Sequence, residues 1–381
     1  METLPVDSGG IAIMAPKGKF YILKTDPVSC PAANILKQQM LSVGGECAVA
    51  RGATTCSVDK APAILSGARK HFLQLIDSLK YQAFGLDKLQ EELREFFAEG
   101  YIQSTINIGS AVFDLRKKTY VMGILNVTPD SFCDGGKHLK IEQALSAALQ
   151  MVENGIDIID VGGESTRPGA NPVDLETELN RVIPVIKAIR KNSDIPISID
   201  TYKSIVAEEA LKAGAELVND ISGLTFDPDM AKIIKQYDAA VALMHIKGTP
   251  GDMQNDPNYA NLIDEIMKFL SESIQTAINS GITRNKIMID PGIGFGKTVA
   301  DNYKILRYLS EFLSLGQPIL LGLSRKSFIG KLLDLPVDER LEGSLASMAA
   351  AIMNGAGIVR VHDVKESVRA VKVVDSILGK K

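Results

Sequence analysis

From residue 119 to the end, the chain repeats one cadence: a short apolar run, a polar loop, then a stretch with apolar residues at helical spacing. The runs are 119–125 (TYVMGIL), 157–161 (DIIDV), 196–200 (PISID), 216–220 (ELVND), 239–244 (AAVALM), 286–290 (KIMID), 318–323 (PILLGL) and 357–362 (GIVRVH). Their nearly unbroken apolar character is that of parallel strands covered on both faces. Helices are predicted at 141–154, 174–192, 203–213, 228–236, 258–280, 301–313, 342–354 and 364–378. Matched strands and helices over roughly 250 residues predict an α/β fold of the (β/α)8, TIM-barrel type, with a doubly wound open sheet as the alternative. The barrel is favoured because polar residues stand at the carboxyl end of nearly every run, where barrel active sites are built.

Residues 1–115 carry a different α/β pattern and are expected to form a smaller domain, leaving 116–381 as the barrel. Strands are expected at 19–25 and 46–50, a helix at 31–45, and two further helices at 62–81 and 86–97, followed by a short connection over 110–118. Lys24, Arg51 and His71 are isolated polar residues in this stretch, expected to serve the surface or the packing. No catalytic constellation is visible in it.

The strand ends carry the chemistry. Asn126 follows the first run and Glu164, Ser165, Thr166 and Arg167 the second. Asp200 ends the third, Asn219 and Asp220 the fourth, and His245 follows the fifth. Asp290 closes the sixth, Ser324, Arg325 and Lys326 follow the seventh, and Arg360 and His362 lie in the eighth. A barrel would bring these groups to one mouth. Taken singly, each has an ordinary reading, such as a helix cap at Asp200 or Asp220. The loop GGESTRPGA (162–170) sets the planar fork of Arg167 beside two hydroxyls and a carboxylate, a combination suited to phosphate, although an ordinary capped turn would look similar. The loop NVTPDSFCDGG (126–136) is long enough to close over a ligand. DPGIGFGK (290–297) matches neither dinucleotide nor P-loop spacing, and its glycines suit a close approach of backbone to a flat ligand, with Phe295 as a wall. Arg167, Arg360, His362 and Asn126 therefore form one candidate anion set. Asp200, Asn219, Asp290 and Lys326 form a mixed donor and acceptor set suited to a heterocycle.

Composition narrows the partners. The 381 residues carry a net charge of -4 without a dense basic run, which argues against nucleic acid and against anionic membranes. Cys30, Cys47, Cys56 and Cys133 show no CxxC spacing, and four histidines form no zinc pattern, so reduced cytosolic thiols are expected. Cys47 and Cys56 are the candidate reactive thiols of the first domain, with an inert thiol the expected reading at each. The amino-terminal stretch lacks the charge and apolar layout of a secretion signal, so a cytoplasmic location is expected.

At these residues the chain resembles the dihydropteroate synthase family, the folate-pathway enzymes that sulfonamides target. VMGILNVTPDSFCDGG (121–136) and GIDIIDVGGESTRPGA (155–170) look like its two signature stretches, and SIDT, LVNDISG, LMHIKGTP, DPGIGFGK, GLSRKSFIG and RVHDV continue the likeness. It covers about 119–379 and leaves the first domain outside. Cys133 departs from the serine common at that loop position. The resemblance implies condensation of 6-hydroxymethyl-7,8-dihydropterin pyrophosphate with 4-aminobenzoate. It implies a pterin grip by Asp200, Asn219, Met244, Asp290, Phe295 and Lys326, and a pyrophosphate nest of Asn126, Thr166, Arg167, Arg360 and His362. It further implies 4-aminobenzoate contacts at Phe132, Thr166, Pro168, Lys326 and Ser327, with Asp200, Arg167, Asp134 and Lys326 serving catalysis. Mg2+ bound through Asn126 and a homodimer are also implied. A methyltetrahydrofolate-dependent corrinoid methyltransferase shares the barrel and grip but needs no NVTPDSF loop, and a non-catalytic pterin-binding protein would show eroded loops.

Overall fold

The computed structural model describes residues 7–127, 137–166, 169–170 and 172–380. The chain divides into two compact units, Met1–Tyr101 and Ile102–Lys381. In the second unit eight parallel strands close into a barrel in chain order, the eighth pairing back onto the first through Ile358 with Tyr120 and Arg360 with Met122. The strands are Tyr120–Asn126, Ile158–Gly162, Ile197–Asp200, Leu217–Asp220, Ala240–Met244, Ile287–Asp290, Ile319–Gly322 and Ala356–Val361. Their outward residues, such as Ile159, Val161, Ile199, Val218, Val241 and Ile289, are buried beneath the ring of helices. Both faces of each strand are therefore covered, as the apolar runs predict. One helix that the sequence pattern did not predict, Ser327–Leu333, follows the seventh strand.

The floor of the barrel is closed by a hairpin, Thr105–Ile108 paired with Ala111–Asp114. Its alternating residues Ile106, Ile108 and Phe113 pack against Tyr120, Met122, Leu217, Met288, Leu320 and Ile358. The sequence pattern suggested only a connection here and a domain boundary at 115. The hairpin's apolar side needs the barrel floor to be buried, which is why the division falls earlier, after Tyr101. Thr119 fixes the start of the first strand by donating from its N–H and its hydroxyl to Asp375 of the last helix, both at 2.7 Å.

The first unit holds a three-stranded antiparallel sheet in which Ala63–Ala68 lies between Phe20–Lys24 and Glu46–Val49. Residues 63–68 were expected in a helix over 62–81; the helix begins only at Arg69. Two edge strands that need a common partner override local helix preference at this point. Leu65 and Cys47 join Leu36, Met40, Phe72, Leu75 and Leu93 of the helices in one buried cluster. Cys30 and Cys56, expected as reduced thiols, are joined by a disulfide across Cα atoms 5.5 Å apart, so Cys56 is no free nucleophile. Cys47 is buried, and burial pushes its thiol up to about 11, which makes it inert at neutral pH. His71 serves packing, its Nδ1 accepting from the N–H of Ala68 at the start of the helix. Among the described residues no helix is long and apolar enough to cross a membrane.

Candidate active site

Pleat alternation decides which side chains reach the mouth. Ile158, Leu217, Ala242, Met288 and Ile358 point into the barrel as part of its apolar floor layer. Two residues further along the same strands, on the same face, come Asp160, Asn219, Met244, Asp290 and Arg360. Asp200 follows Ser198 in the same way. Polar groups are thus stacked directly above an apolar plug, at the carboxyl ends of the strands.

Arg360 ties this layer together. Its Nε donates to Asp160 Oδ2 and its Nη2 to Asp200 Oδ2, both at 2.6 Å. The Nδ2 of Asn219 donates to the same oxygen of Asp160 at 3.2 Å. Asp160 Oδ1, Asp200 Oδ1 and Ser198 Oγ are buried and find no hydrogen-bond partner among the described residues. Unpaired acceptors of this kind are costly and mark where a ligand's donors would go. Burial pushes the carboxyl of Asp200 up to about 7, against the pull of Arg360 and with further push from Asp160 and Glu178. Asp290 is pushed up to about 6 by burial, opposed by the N–H of Gly292 that it accepts at 2.7 Å and by Lys326. Burial acts against the charge of Arg360, but Asp160 and Asp200 outweigh it and hold the guanidinium above its usual range.

The loop after Asp290 folds onto the loop after Met244. Gly292 has φ +73°, and a Cβ there would lie 1.9 Å from the carbonyl oxygen of His245. Only glycine permits that approach. The loop presents Phe295, and the ammonium of Lys326 stands 4.3 Å from the centre of its ring. Met244 is buried in the same cluster as Phe295 and Tyr202. At Gly162 an added Cβ would sit 3.6 Å from both Asn126 Oδ1 and Asp200 Cβ, so bare backbone keeps open the space between the amide and the acid. His362 Nδ1 lies 3.1 Å from Ser324 Oγ. Thr166 is half-buried and Ser327 exposed. Arg325 is turned away and paired with Asp363, its Nε donating at 3.1 Å. Asp220 accepts from Ser222 and Leu224 and shapes its own loop. Phe132, Asp134, Arg167 and Pro168 lie outside the described residues, as does Cys133.

Arg360, expected with the anion set, therefore stands between Asp200 of the other set and Asp160 in this structure. Asp160 was missed by sequence reasoning because it sits inside an apolar strand. The signal was present: an acid on the inward parity of a barrel strand, two residues before Gly162. Glu164 anchors its loop. It accepts from Tyr202 OH at 2.7 Å and from Lys203 Nζ at 2.6 Å, while the same ammonium donates to Glu178 at 2.5 Å and to Val173 O at 2.6 Å. Among the described residues no group of three or more His, Cys, Asp or Glu side chains stands to hold a metal.

A closed (β/α)8 barrel with buried acids, an amide and two cations at its mouth defines an enzyme class that binds a small polar heterocycle. Residues 122–362 match the family of pterin-binding enzymes, and the chain belongs to that family. It is 50% identical over 278 residues to a dihydropteroate synthase of Synechocystis, covering 73% of this chain and 96% of that one. A solved dihydropteroate synthase from Clostridium difficile, crystallised in the presence of pteroic acid, superposes with a TM-score of 0.66 at 51% identity, over 70% of this chain and 98% of that one. A Xanthomonas albilineans dihydropteroate synthase with 4-aminobenzoic acid gives 0.67 at 41% identity, over 72% and 98%. A probable bifunctional folylpolyglutamate synthase/dihydropteroate synthase of Halobacterium salinarum is 41% identical over 376 residues, which is 99% of this chain and 45% of that protein. That alignment takes in the first unit as well. Within the family, this chain is a transferase of the dihydropteroate synthase kind.

Proposed function

We propose that the barrel mouth joins 6-hydroxymethyl-7,8-dihydropterin pyrophosphate to 4-aminobenzoate, with the pterin ring against Asp160, Asp200, Asn219 and Asp290. The observation that carries this reading is the pair of buried carboxylate oxygens, Asp160 Oδ1 and Asp200 Oδ1, left open on either side of Arg360. Ring N–H and amino groups supply the donors these oxygens lack. Lys326, held over Phe295, donates to a ring carbonyl or nitrogen, while Met244 and Phe295 cover the ring faces. As the C–O bond to pyrophosphate breaks, the bonding pair leaves with the pyrophosphate and the methylene carbon turns cation-like. Asp200 stabilises that charge because it is fixed before the reaction and shielded from water. The aromatic amine, neutral at pH 7, then donates its lone pair to the carbon and releases one proton, so no strong base is required. Arg167 and His362 hold the departing anion, with Thr166 and Ser327 beside the 4-aminobenzoate. The family likeness also assigns Phe132 and Pro168 to 4-aminobenzoate and Asp134 to catalysis.

Mg2+ fits the donor set as a shared ion rather than a resident one. Asn126 offers one neutral oxygen, Oδ1, beside the space over Gly162, and that oxygen would hold a hard cation that keeps most of its waters. When bound, it would neutralise charge on the leaving group. Exposed apolar residues on neighbouring outer helices, Met353 on one and Val373 and Ile377 on the last, support a homodimer through this side of the barrel. A sulfonamide is expected to compete with 4-aminobenzoate here; a Yersinia pestis dihydropteroate synthase has been solved in complex with a sulfonamide drug. A cytoplasmic location accords with these substrates, and the disulfide of the first unit is the feature that opposes it. The test is pyrophosphate release from the dihydropterin pyrophosphate with Mg2+, with and without 4-aminobenzoate. Release that requires the amine and yields dihydropteroate is expected; tight pterin binding without release would favour a non-catalytic binding protein.

A further inference from the structure

Lys297 is absent from every role assigned above, yet it is 2% exposed and lies beside the candidate heterocycle wall. Its Nζ lies 2.8 Å from His245 Nδ1, donates to Phe295 O at 2.9 Å and approaches His245 O at 3.4 Å. Burial pushes the lysine down to about 7 and drives the His245 ring far below its usual value, so the imidazole is neutral. With Lys297 donating, Nδ1 is the acceptor and the ring proton sits on Nε2. A lysine spends its three donors on two backbone carbonyls and one imidazole only where those groups must be held together.

What they join is informative. His245 follows Met244 at the end of the fifth strand, and its N–H donates to Asp290 O at 3.0 Å. Phe295 is the tip of the loop after Asp290 and carries Lys326 over its ring. The same loop is fixed at its neighbours by Tyr259 OH donating to Gly296 O at 2.6 Å and by Gln254 donating to Gly294 O at 2.8 Å. Between those two bonds the Phe295 carbonyl accepts, among the described residues, from Lys297. A glycine-rich loop with several positive-φ positions has little stiffness of its own, so tethers decide where its aromatic tip stands.

We infer that Lys297 is a positioning residue for pterin binding: by pinning the Phe295 carbonyl to the His245 ring it sets the place of Phe295 and, through it, of Lys326. The inference rests on the reading of Phe295 as a pterin wall. Loss of one charge-assisted hydrogen bond corresponds to roughly a tenfold effect or more. Lys297→Met and His245→Leu are each expected to raise KM for the pterin substrate about tenfold while changing KM for 4-aminobenzoate less than twofold. The double variant is expected to be no worse than either single one, because both remove the same link. His245→Asn, which keeps an acceptor near the Nδ1 position, is expected to recover most of the loss. Equal losses for both substrates, or additive losses in the double variant, would make Lys297 a general structural residue and overturn the inference. If Lys297→Met does not fold, His245→Leu against His245→Asn decides: no difference in pterin KM between them overturns it. Phe295→Ala separates the two readings. Should it leave pterin KM unchanged, the wall assignment falls and the inference with it; should it raise pterin KM while the Lys297 and His245 variants do not, the inference alone is wrong.

Discussion

Asp200→Asn is expected to abolish most turnover and yet stabilise the fold. The carboxyl of Asp200 is pushed from 3.8 to about 7, chiefly by burial, even with Arg360 attached. About three pKa units correspond to roughly 4 kcal/mol by which the folded protein disfavours the ionised acid. Relaxation of the site reduces that, so about 2–3 kcal/mol is a reasonable expectation. The sign follows from linkage. A carboxyl whose pKa is raised in the folded state costs nothing below the unfolded value, and its penalty grows as pH rises from about 4 to about 7 and is flat above that. An asparagine keeps an oxygen for Arg360 Nη2 and carries no charge to desolvate. At pH 8 the variant should therefore melt about 5–10 °C higher than the parent, and the gap should shrink toward zero near pH 4. Turnover should fall by about 100-fold or more at pH 8, where the parent's Asp200 is ionised, and the deficit should narrow toward lower pH, since an amide cannot offer a full negative charge to the methylene cation. Calorimetric melting across pH 4–8, with parallel rate measurements, checks both parts. A variant less stable than the parent at pH 8 would show that the Arg360 contact outweighs desolvation, and would refute the reasoning.

Other expectations follow from the same geometry. In the parent, kcat/KM should rise from pH 6 to 8 as Asp200 and Asp290, pushed up to about 7 and about 6, lose their protons; a flat profile would contradict their role as acceptors for the pterin. Gly292→Ala should cost more than about 2 kcal/mol and weaken pterin binding, because its Cβ would meet the His245 carbonyl at 1.9 Å; an unchanged melting temperature would show that the loop relaxes freely. Phe113→Ala should destabilise the barrel by about 3–5 kcal/mol through a cavity in its floor, with substrate KM values retained, as urea unfolding and kinetics will show. A chain beginning at residue 112 should unfold or aggregate, while one beginning at Ile102 keeps both strands of the floor hairpin and should melt cooperatively. Arg167→Ala should lose most turnover while leaving pterin binding detectable by titration calorimetry.

The barrel was legible because its signal is redundant: eight apolar runs each carry the parallel-strand pattern, and a slip of one or two residues at any end changes nothing. The floor hairpin was not. Its strands are four residues each and hold only three committed apolar side chains, Ile106, Ile108 and Phe113, which acquire meaning only against Met122, Met288 and Ile358. The strand at 63–68 was hidden for a related reason, since AILSGA suits a helix until two flanking strands demand a centre. At the mouth, the residues at the strand ends were easy to collect, and Asn219 and Arg360 interlock through Asp160 while Arg360 carries the link on to Asp200. Asp160 and Lys297 escaped because one lies within an apolar strand and the other behind the glycine loop, where spacing gives no hint that it reaches His245.

The arrangement at the mouth explains why its acids are left uncomfortable. Asp160, Asp200 and Asp290 share the space with Arg360 and Lys326, and burial makes ionisation of Asp200 and Asp290 costly. A neutral heterocycle that donates to Asp160 and Asp200 removes part of that cost, and a methylene cation removes more. The charge that is most strained in the empty site is therefore the one best satisfied when the C–O bond breaks. On the proposed function, binding and catalysis would draw on the same buried carboxylate oxygens, which would be differential stabilisation of the transition state by groups already in place. Arg360 has the complementary part. It is held charged by two acids at 2.6 Å, so it can brace Asp200 without neutralising the oxygen that faces the substrate. Replacing Arg360 by lysine would keep the charge but lose the fork that spans both acids, and turnover should fall further than pterin affinity. Equal losses in the two would mean that the arginine only fills space.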